Sequence, residues 1–310
     1  MSGIYAGDAL NMCRKLKSES IDCVITSPPY WSLRDYGIAG QLGLEKDFNE
    51  YIYKLIRVFN EIKRILKSTG TLWVNLGDTY SNSGGSGKNQ TIHKQFGKVQ
   101  KINKYSAGTV PHRVKSLPSK CLVQIPARFA IKMVDNGWIL RNEIIWRKNN
   151  VMPSSAKDRL TVDFEKVFFF VKAKKYYFKQ LFEPYIKPLN RWGGETLKAE
   201  KESLWDKNTG QKSYRNRSMR PNPKGRNKRT TWDINTKPFK GAHFAVFPEK
   251  LVEPMLEAGC PENGIVLDPF CGSGTVAVVA KRFNRRYVGF DLNPEYVKIA
   301  EERLMSIDKE

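Results

Sequence analysis

The chain has 310 residues, 40% of them hydrophobic, and a formal net charge of +22. That length supports one large domain with an elaboration or two domains, and no run approaches the roughly 18 apolar residues of a membrane span. The five scattered cysteines contain no Cys-x-x-Cys pair, which argues against a zinc site or a disulfide framework. With no basic region followed by an apolar stretch at the N-terminus, a cytoplasmic protein with no metal and no membrane contact is expected.

Ile4-Tyr5-Ala6 predicts a short strand ending at Gly7-Asp8, followed by a helical turn over 9–16. Ile21-Asp22-Cys23-Val24-Ile25 reads as a buried strand that runs into Thr26-Ser27-Pro28-Pro29-Tyr30-Trp31. Each proline fixes φ at about −65° and lacks an N–H, and the residue before each is pushed out of the helical region. The result is a stiff, extended strand end whose carbonyls have no local partner. With a hydroxyl at Ser27 and rings at Tyr30 and Trp31, it suits holding a flat, amine-bearing ring. It is equally the pattern of a proline turn capped by core aromatics.

Residues 32–43 read as a glycine-containing loop. From Phe48 the apolar residues fall at three- and four-residue spacing through Leu66, which predicts an amphipathic helix. Lys67-Ser68-Thr69-Gly70 reads as its basic last turn and glycine stop. Thr71–Leu76 follows as a strand closed by Gly77-Asp78. Strand, helix, strand predicts a parallel sheet with helices on its faces, where ligands sit at the carboxyl ends of strands.

Residues 81–120 carry eight Lys/Arg and no acid. Their Ser83-Gly84-Gly85-Ser86-Gly87 run cannot pack a core, so a basic flexible insertion is expected there. A helix with Pro126 in its first turn and Gly137 after its end follows, then strand-like runs over 138–146 and 167–178. Phe168-Phe169-Phe170 is expected in a strand buried on both faces. Residues 172–240 hold 19 Lys/Arg against six acids and show no sustained period, which predicts a loop-rich insertion. These two segments carry nearly the whole net charge, the footprint of a polyanionic partner, and Trp192, Trp205, Tyr214 and Trp232 are interleaved with the bases. The expected organisation is a core of 1–80, 121–171 and 241–310 interrupted by 81–120 and by a basic recognition region, 172–240.

The C-terminal part is the most regular. Pro248 opens a helix, Ile265-Val266-Leu267 is a strand, and Asp268-Pro269-Phe270-Cys271-Gly272-Ser273-Gly274-Thr275 is a tight loop leading into a helix over 276–283. Tyr287–Phe290 is a strand ending in Asp291, and Asn293-Pro294 caps the last helix. Gly272 and Gly274 permit close backbone approach, a helix N-terminus favours an anionic group, and Asp291 stands where an acid grips ribose hydroxyls. The third glycine of the dinucleotide pattern is absent, which fits a nucleoside with a small carboxylate.

The Asp-Pro-Phe-Cys-Gly-Ser-Gly-Thr loop after the Ser-Pro-Pro-Tyr stretch resembles the S-adenosylmethionine-dependent amino-methyltransferases of DNA, in their permuted β class. His243–Lys250 resembles the motif that precedes the cofactor loop in that class, and Ile144–Asn149 the strand that follows its catalytic region. The resemblance implies a Rossmann-like α/β methyltransferase fold with a mostly parallel sheet, circularly permuted motif order and an inserted DNA-recognition region. It implies S-adenosylmethionine as cofactor, with Asp8 receiving the adenine amine, Phe247 packing near the adenine, Asp291 on the ribose, Asp268 and the Gly272, Ser273, Gly274, Thr275 backbone at the methionine end, and Phe270 among the cofactor-binding residues. Ser27 and the Pro28 carbonyl, set by Pro29, would accept the two N–H groups of an exocyclic amine while Tyr30 stacks on a base flipped out of duplex DNA. Serine before Pro-Pro points to cytosine N4, with adenine N6 as the alternative. Further readings are a protein-glutamine methyltransferase, which the basic inserts disfavour, and an inert DNA-binding module, which predicts loss of one half-site. A cognate restriction endonuclease in the same restriction-modification system is an implied partner. Cys23 and Cys271 are not placed for the nucleophilic role that carbon-5 methylation requires.

Overall fold

The computed structural model describes residues 2–81, 116–185, 222, 224–236 and 247–307. Most of the 81–120 insertion, Trp192, Trp205, Tyr214 and His243–Val246 lie outside these residues. The chain divides into two compact units, Met1–Lys179 with Thr230–Glu310, and Gln180–Arg229.

The larger unit is built on one eight-stranded sheet. In chain order its strands are β1 (Gly3–Ala6), β2 (Ile21–Thr26), β3 (Leu66–Leu76), β4 (Ile139–Arg147), β5 (Phe164–Val171), β8 (Thr231–Asp233), β9 (Ile265–Asp268) and β10 (Arg286–Asp291). The smaller unit contains β6 (Phe182–Glu183) paired antiparallel with β7 (Arg226–Asn227). The helices are α1 (Ala9–Lys15), α2 (Phe48–Ile65), α3 (Ile125–Asp135), α4 (Glu249–Gly259), α5 (Thr275–Arg282) and α6 (Pro294–Ile307). Among the described residues no helix is long and apolar enough to cross a membrane.

The spatial strand order is β1-β10-β9-β2-β3-β5-β4-β8, and only β5 runs against its neighbours. This is the expected mostly parallel α/β sheet. The first strand pairs with the last one, Ala6 opposite Asp291, so the two chain segments richest in turn chemistry meet at one edge. Because β5 is reversed, its first residues arrive at the edge where the parallel strands end. Glu165 is thereby brought beside the ends of β2 and β3.

α2 forms where its apolar stripe predicts. Asp47 caps it by accepting from the Asn49 N–H, and Tyr51, Leu55, Phe59 and Ile62 are fully buried. The predicted stop differs. The helix ends at Ile65, and residues 67–70 belong to β3. Leu66 pairs with Ile21, but the next partners are Thr71 and Cys23, so β3 bulges by three residues. Lys67 reaches Asp22 at 2.7 Å across that bulge. A Cβ at Gly70 would lie 2.7 Å from the Leu66 side chain, so this glycine serves the bulge rather than a helix stop. Phe168, Phe169 and Phe170 are buried as expected, with Phe169 stacked on Trp73 at 4.1 Å between ring centres.

Residues 172–179 and 230–236, expected in the basic recognition region, belong to the larger unit. The Tyr177 N–H donates to the Thr69 carbonyl, and β8 extends the sheet beside β4. Trp232 is consequently buried in the sheet, at 7% exposure, rather than interleaved with surface bases.

Candidate active site

The stiff strand end of β2 is tied down on several sides. The Thr26 hydroxyl donates to Asp268 Oδ1 at 2.6 Å. The Tyr51 hydroxyl donates to the Pro29 carbonyl at 2.7 Å, so that carbonyl is not free as expected. Among the described residues the Pro28 carbonyl has no partner. Trp31 is 1% exposed, meets Phe48 edge-on and donates to the Glu45 carbonyl at 2.9 Å; it is core. Gly43, at φ +99°, lets the following loop pass close to the Tyr30 carbonyl, which an added Cβ would approach to 2.8 Å.

The Tyr30 ring lies over Gly77 at the end of β3, where a Cβ would sit 2.4 Å from the ring. Its hydroxyl reaches Asn75 Oδ1 at 2.8 Å and Glu165 Oε2 at 2.6 Å. Burial, and then the neighbouring Glu165, push its phenol well above the usual range, so it stays protonated. Ser27 Oγ lies 3.3 Å from Asn75 Oδ1 and 3.5 Å from the Tyr30 hydroxyl. Glu165 Oε1 forms an ion pair with Lys148, whose ammonium lies 4.4 Å from the Trp146 ring centre. Asn75, Glu165 and Lys148 were not among the expected site residues. The one signal for Asn75 is an amide inside an otherwise apolar strand run.

The second half of the site is the loop after β9. Cys271 N–H donates to the Phe290 carbonyl, and Gly272 N–H donates to Asp291 Oδ2, both at 2.8 Å. Asp291 Oδ1 accepts from the Asn293 N–H at 2.8 Å, while its backbone carbonyl accepts from the Gly7 N–H. The Asp291 carboxyl is raised by burial. Asp8 caps α1 through the Asn11 N–H at 2.9 Å. Arg303 donates to the Ser273 carbonyl and hydroxyl and to the Thr275 hydroxyl, which fixes the loop from behind.

Both halves open into one cavity of about 570 Å³. Ser27, Pro28, Pro29 and Tyr30 line it from one side. Asp8, Phe247, Phe270, Gly272, Ser273, Thr275 and Asp291 line it from the other. Asn75, Glu165 and Lys148 also face it. Two expected contact residues do not line it. Asp268 is 2% exposed and turned to Thr26 and to the Phe270 N–H; burial first of all pushes its carboxyl up to about 7. Gly274, at φ +78°, packs against α6, where an added Cβ would come 2.7 Å from that of Ala300. Both therefore shape the loop from beneath. Cys271 borders the cavity, but burial pushes its thiol well above the usual range, so it is held as a thiol and not as a nucleophilic thiolate. Among the described residues no cluster of His, Cys, Asp and Glu is arranged to hold a metal.

A sheet of this order with a glycine loop and an acid at adjacent strand ends defines an α/β methyltransferase fold. The DNA methylase family model for N6 and N4 enzymes matches residues 21–302, and the chain belongs to that family of DNA methyltransferases. It is 41% identical over 305 residues to the type II methyltransferase M.Cfr9I of Citrobacter freundii, covering 98% of this chain and 88% of the relative. It is 38% identical to M.SmaI of Serratia marcescens, covering 97% and 90%. Among solved structures, the cytosine-N4-specific PvuII DNA methyltransferase superposes with a TM-score of 0.62 at 21% identity, covering 98% of this chain and 86% of that one. A putative DNA modification methylase of Thermus thermophilus, determined with S-adenosyl-L-methionine, superposes at 0.58 and 21% identity, covering 99% and 94%.

Proposed function

We propose that the protein transfers a methyl group from S-adenosylmethionine to the N4 amine of cytosine in duplex DNA, as the modification enzyme of a restriction-modification system with a cognate endonuclease. The observation that carries this reading is the single cavity that joins the Ser27–Tyr30 strand end to the Gly272–Asp291 loop. The loop side fits the cofactor. Asp291 spends one acceptor site of each carboxylate oxygen on backbone N–H groups and retains others for ribose hydroxyls. Phe247 and Phe270 offer apolar surface for the adenine, and Asp8 an acceptor for its amine. When bound, the cofactor supplies an electrophilic sulfonium methyl.

On the other side, the Ser27 hydroxyl and the Pro28 carbonyl accept the two N–H groups of the target amine. That lone pair is delocalised into the ring, and two acceptors favour a tetrahedral nitrogen whose lone pair can point across the cavity. The contribution is orientation and stabilisation of positive charge as it develops. The Tyr30 ring walls the base. The base leaves the duplex at a cost of a few kcal/mol, and the basic segments 81–120 and 172–240 attract the phosphates.

The test is to incubate the protein with S-adenosylmethionine and mixed-sequence DNA, digest to nucleosides and identify the product by mass. N4-methylcytosine is expected. N6-methyladenine would overturn the base assignment, and cofactor binding without any methylated nucleoside would overturn the enzymatic reading.

A further inference from the structure

The target atom is read by Ser27, and a hydroxyl is an ambiguous reader, able to donate or to accept. The side chains behind Ser27 remove the ambiguity. Asn75 is 3% exposed. Its Nδ2 lies 3.1 Å from Glu165 Oε2 and 3.2 Å from the Lys166 carbonyl. Both neighbours accept only, so the NH₂ end of the amide must face them; the flipped amide would set oxygen against two oxygens. Oδ1 is thereby turned towards Ser27 and Tyr30. Tyr30 has one proton, shared between Asn75 and the nearer Glu165. Glu165 is in turn held through its other oxygen by Lys148. The Ser27 proton therefore has an acceptor in Asn75, and the Ser27 oxygen is left with lone pairs for the cavity.

We propose that Asn75, oriented by Glu165 and the Lys166 carbonyl, is a positioning residue that makes Ser27 an obligate acceptor, so that the site selects an amino group and rejects a carbonyl at the reacting position. This rests on the proposed function in one respect, that Ser27 faces the target amine. A carbonyl there places two oxygens against each other, and a site built to bond an N–H rejects an analogue that lacks it strongly.

The experiment starts from the protein's own methylated site, located in DNA from cells that express it. Duplexes carry at that position either the amino base or its deaminated counterpart, each opposite an abasic sugar so that neither pays for unpairing. Binding is compared with the demethylated cofactor present. The unaltered protein is expected to favour the amino duplex at least about tenfold. Asn75→Leu frees the Ser27 proton, and the preference is expected to fall at least about fivefold, the Pro28 carbonyl keeping the remainder, while kcat drops by about 100-fold and cofactor affinity holds. Glu165→Gln keeps the volume but sets an NH₂ against that of Asn75, which releases the amide to flip; the same loss of preference is expected even if Asn75→Leu fails to fold. An undiminished preference in Glu165→Gln, or in a folded Asn75→Leu, would overturn the proposal. If the product is methyladenine, the cytosine reading fails, and Asn75 is judged on adenine against hypoxanthine by the same ratio.

Discussion

The hydroxyl of Thr26 and the carboxyl of Asp268, 242 residues apart in sequence, meet at 2.6 Å beneath the cavity floor. Thr26 immediately precedes Ser27, and Asp268 opens the glycine loop, so one buried hydrogen bond fastens the proposed base-holding strand end to the proposed cofactor loop. Thr26→Val keeps the shape and removes the donor. It is expected to destabilise the fold by about 0.5–1.5 kcal/mol, the net worth of one hydrogen bond, because the same oxygen still accepts from the Phe270 N–H. It is also expected to weaken cofactor binding although Thr26 touches no cofactor. Denaturant unfolding and cofactor titration check the two effects.

The same carboxyl makes stability depend on pH. Burial raises Asp268 from an ordinary 3.8 to about 7 in the folded protein. Between these values the unfolded chain has lost the proton that the native chain keeps, so stability falls as pH rises through this window. At about 1.4 kcal/mol per pH unit the loss is at most about 4 kcal/mol. Asp268→Asn removes the titrating group and should flatten this part of the stability curve, measured by urea unfolding from pH 4 to 8. An unchanged slope would place the dependence elsewhere.

Gly77 has no unusual backbone angle, yet it has no room for a methyl group, because the Tyr30 ring occupies that space at 2.4 Å. Gly77→Ala should displace the ring from Asn75 and Glu165. Methylation is expected to fall at least about tenfold with cofactor affinity retained. Equal loss of both would mean that the change spreads to the loop side.

Nearly all the net charge lies in 81–120 and 172–240. If these segments contact phosphates, DNA affinity should fall steeply and log-linearly with salt. Neutralising three lysines among 94–104 should reduce that slope by roughly 2–3 without altering the methylated base. Measurements of affinity from 50 to 200 mM salt decide this; a flat dependence would remove the inserts from the interface.

Much of the sheet and both halves of the cavity are legible in the residues themselves. The double proline, the Gly-x-Gly loop and Asp291 each carry a local conformational demand that needs no partner to be read. What is not legible depends on pairing. Glu165 reaches the site only because β5 runs antiparallel, bringing it to Asn75 from 90 residues away. Trp232 looks like a nucleic-acid aromatic beside its basic neighbours, but its strand joins the sheet edge and buries it. The helix stop at Gly70 is misleading because a bulge and a helix terminus use glycine for different reasons. Asp268 carries the right residue type for ligand contact, but a linear motif does not say which of its side chains turn inward.

The pairing of β1 with β10 also sets an order of events. Ala6 finds its partner Asp291 only after about 285 further residues have been made. β2 pairs with β3 across a much shorter span, so the strand end bearing Ser27 can be framed on one side early. The wall holding Asp8, Gly272 and Asp291 closes last. Such long-range pairing is slow to form, and it means that a partly synthesised chain has the proposed base-holding edge with nothing opposite it. Competence for methyl transfer would therefore arrive in one step, late in folding, when the first strand is captured by the last.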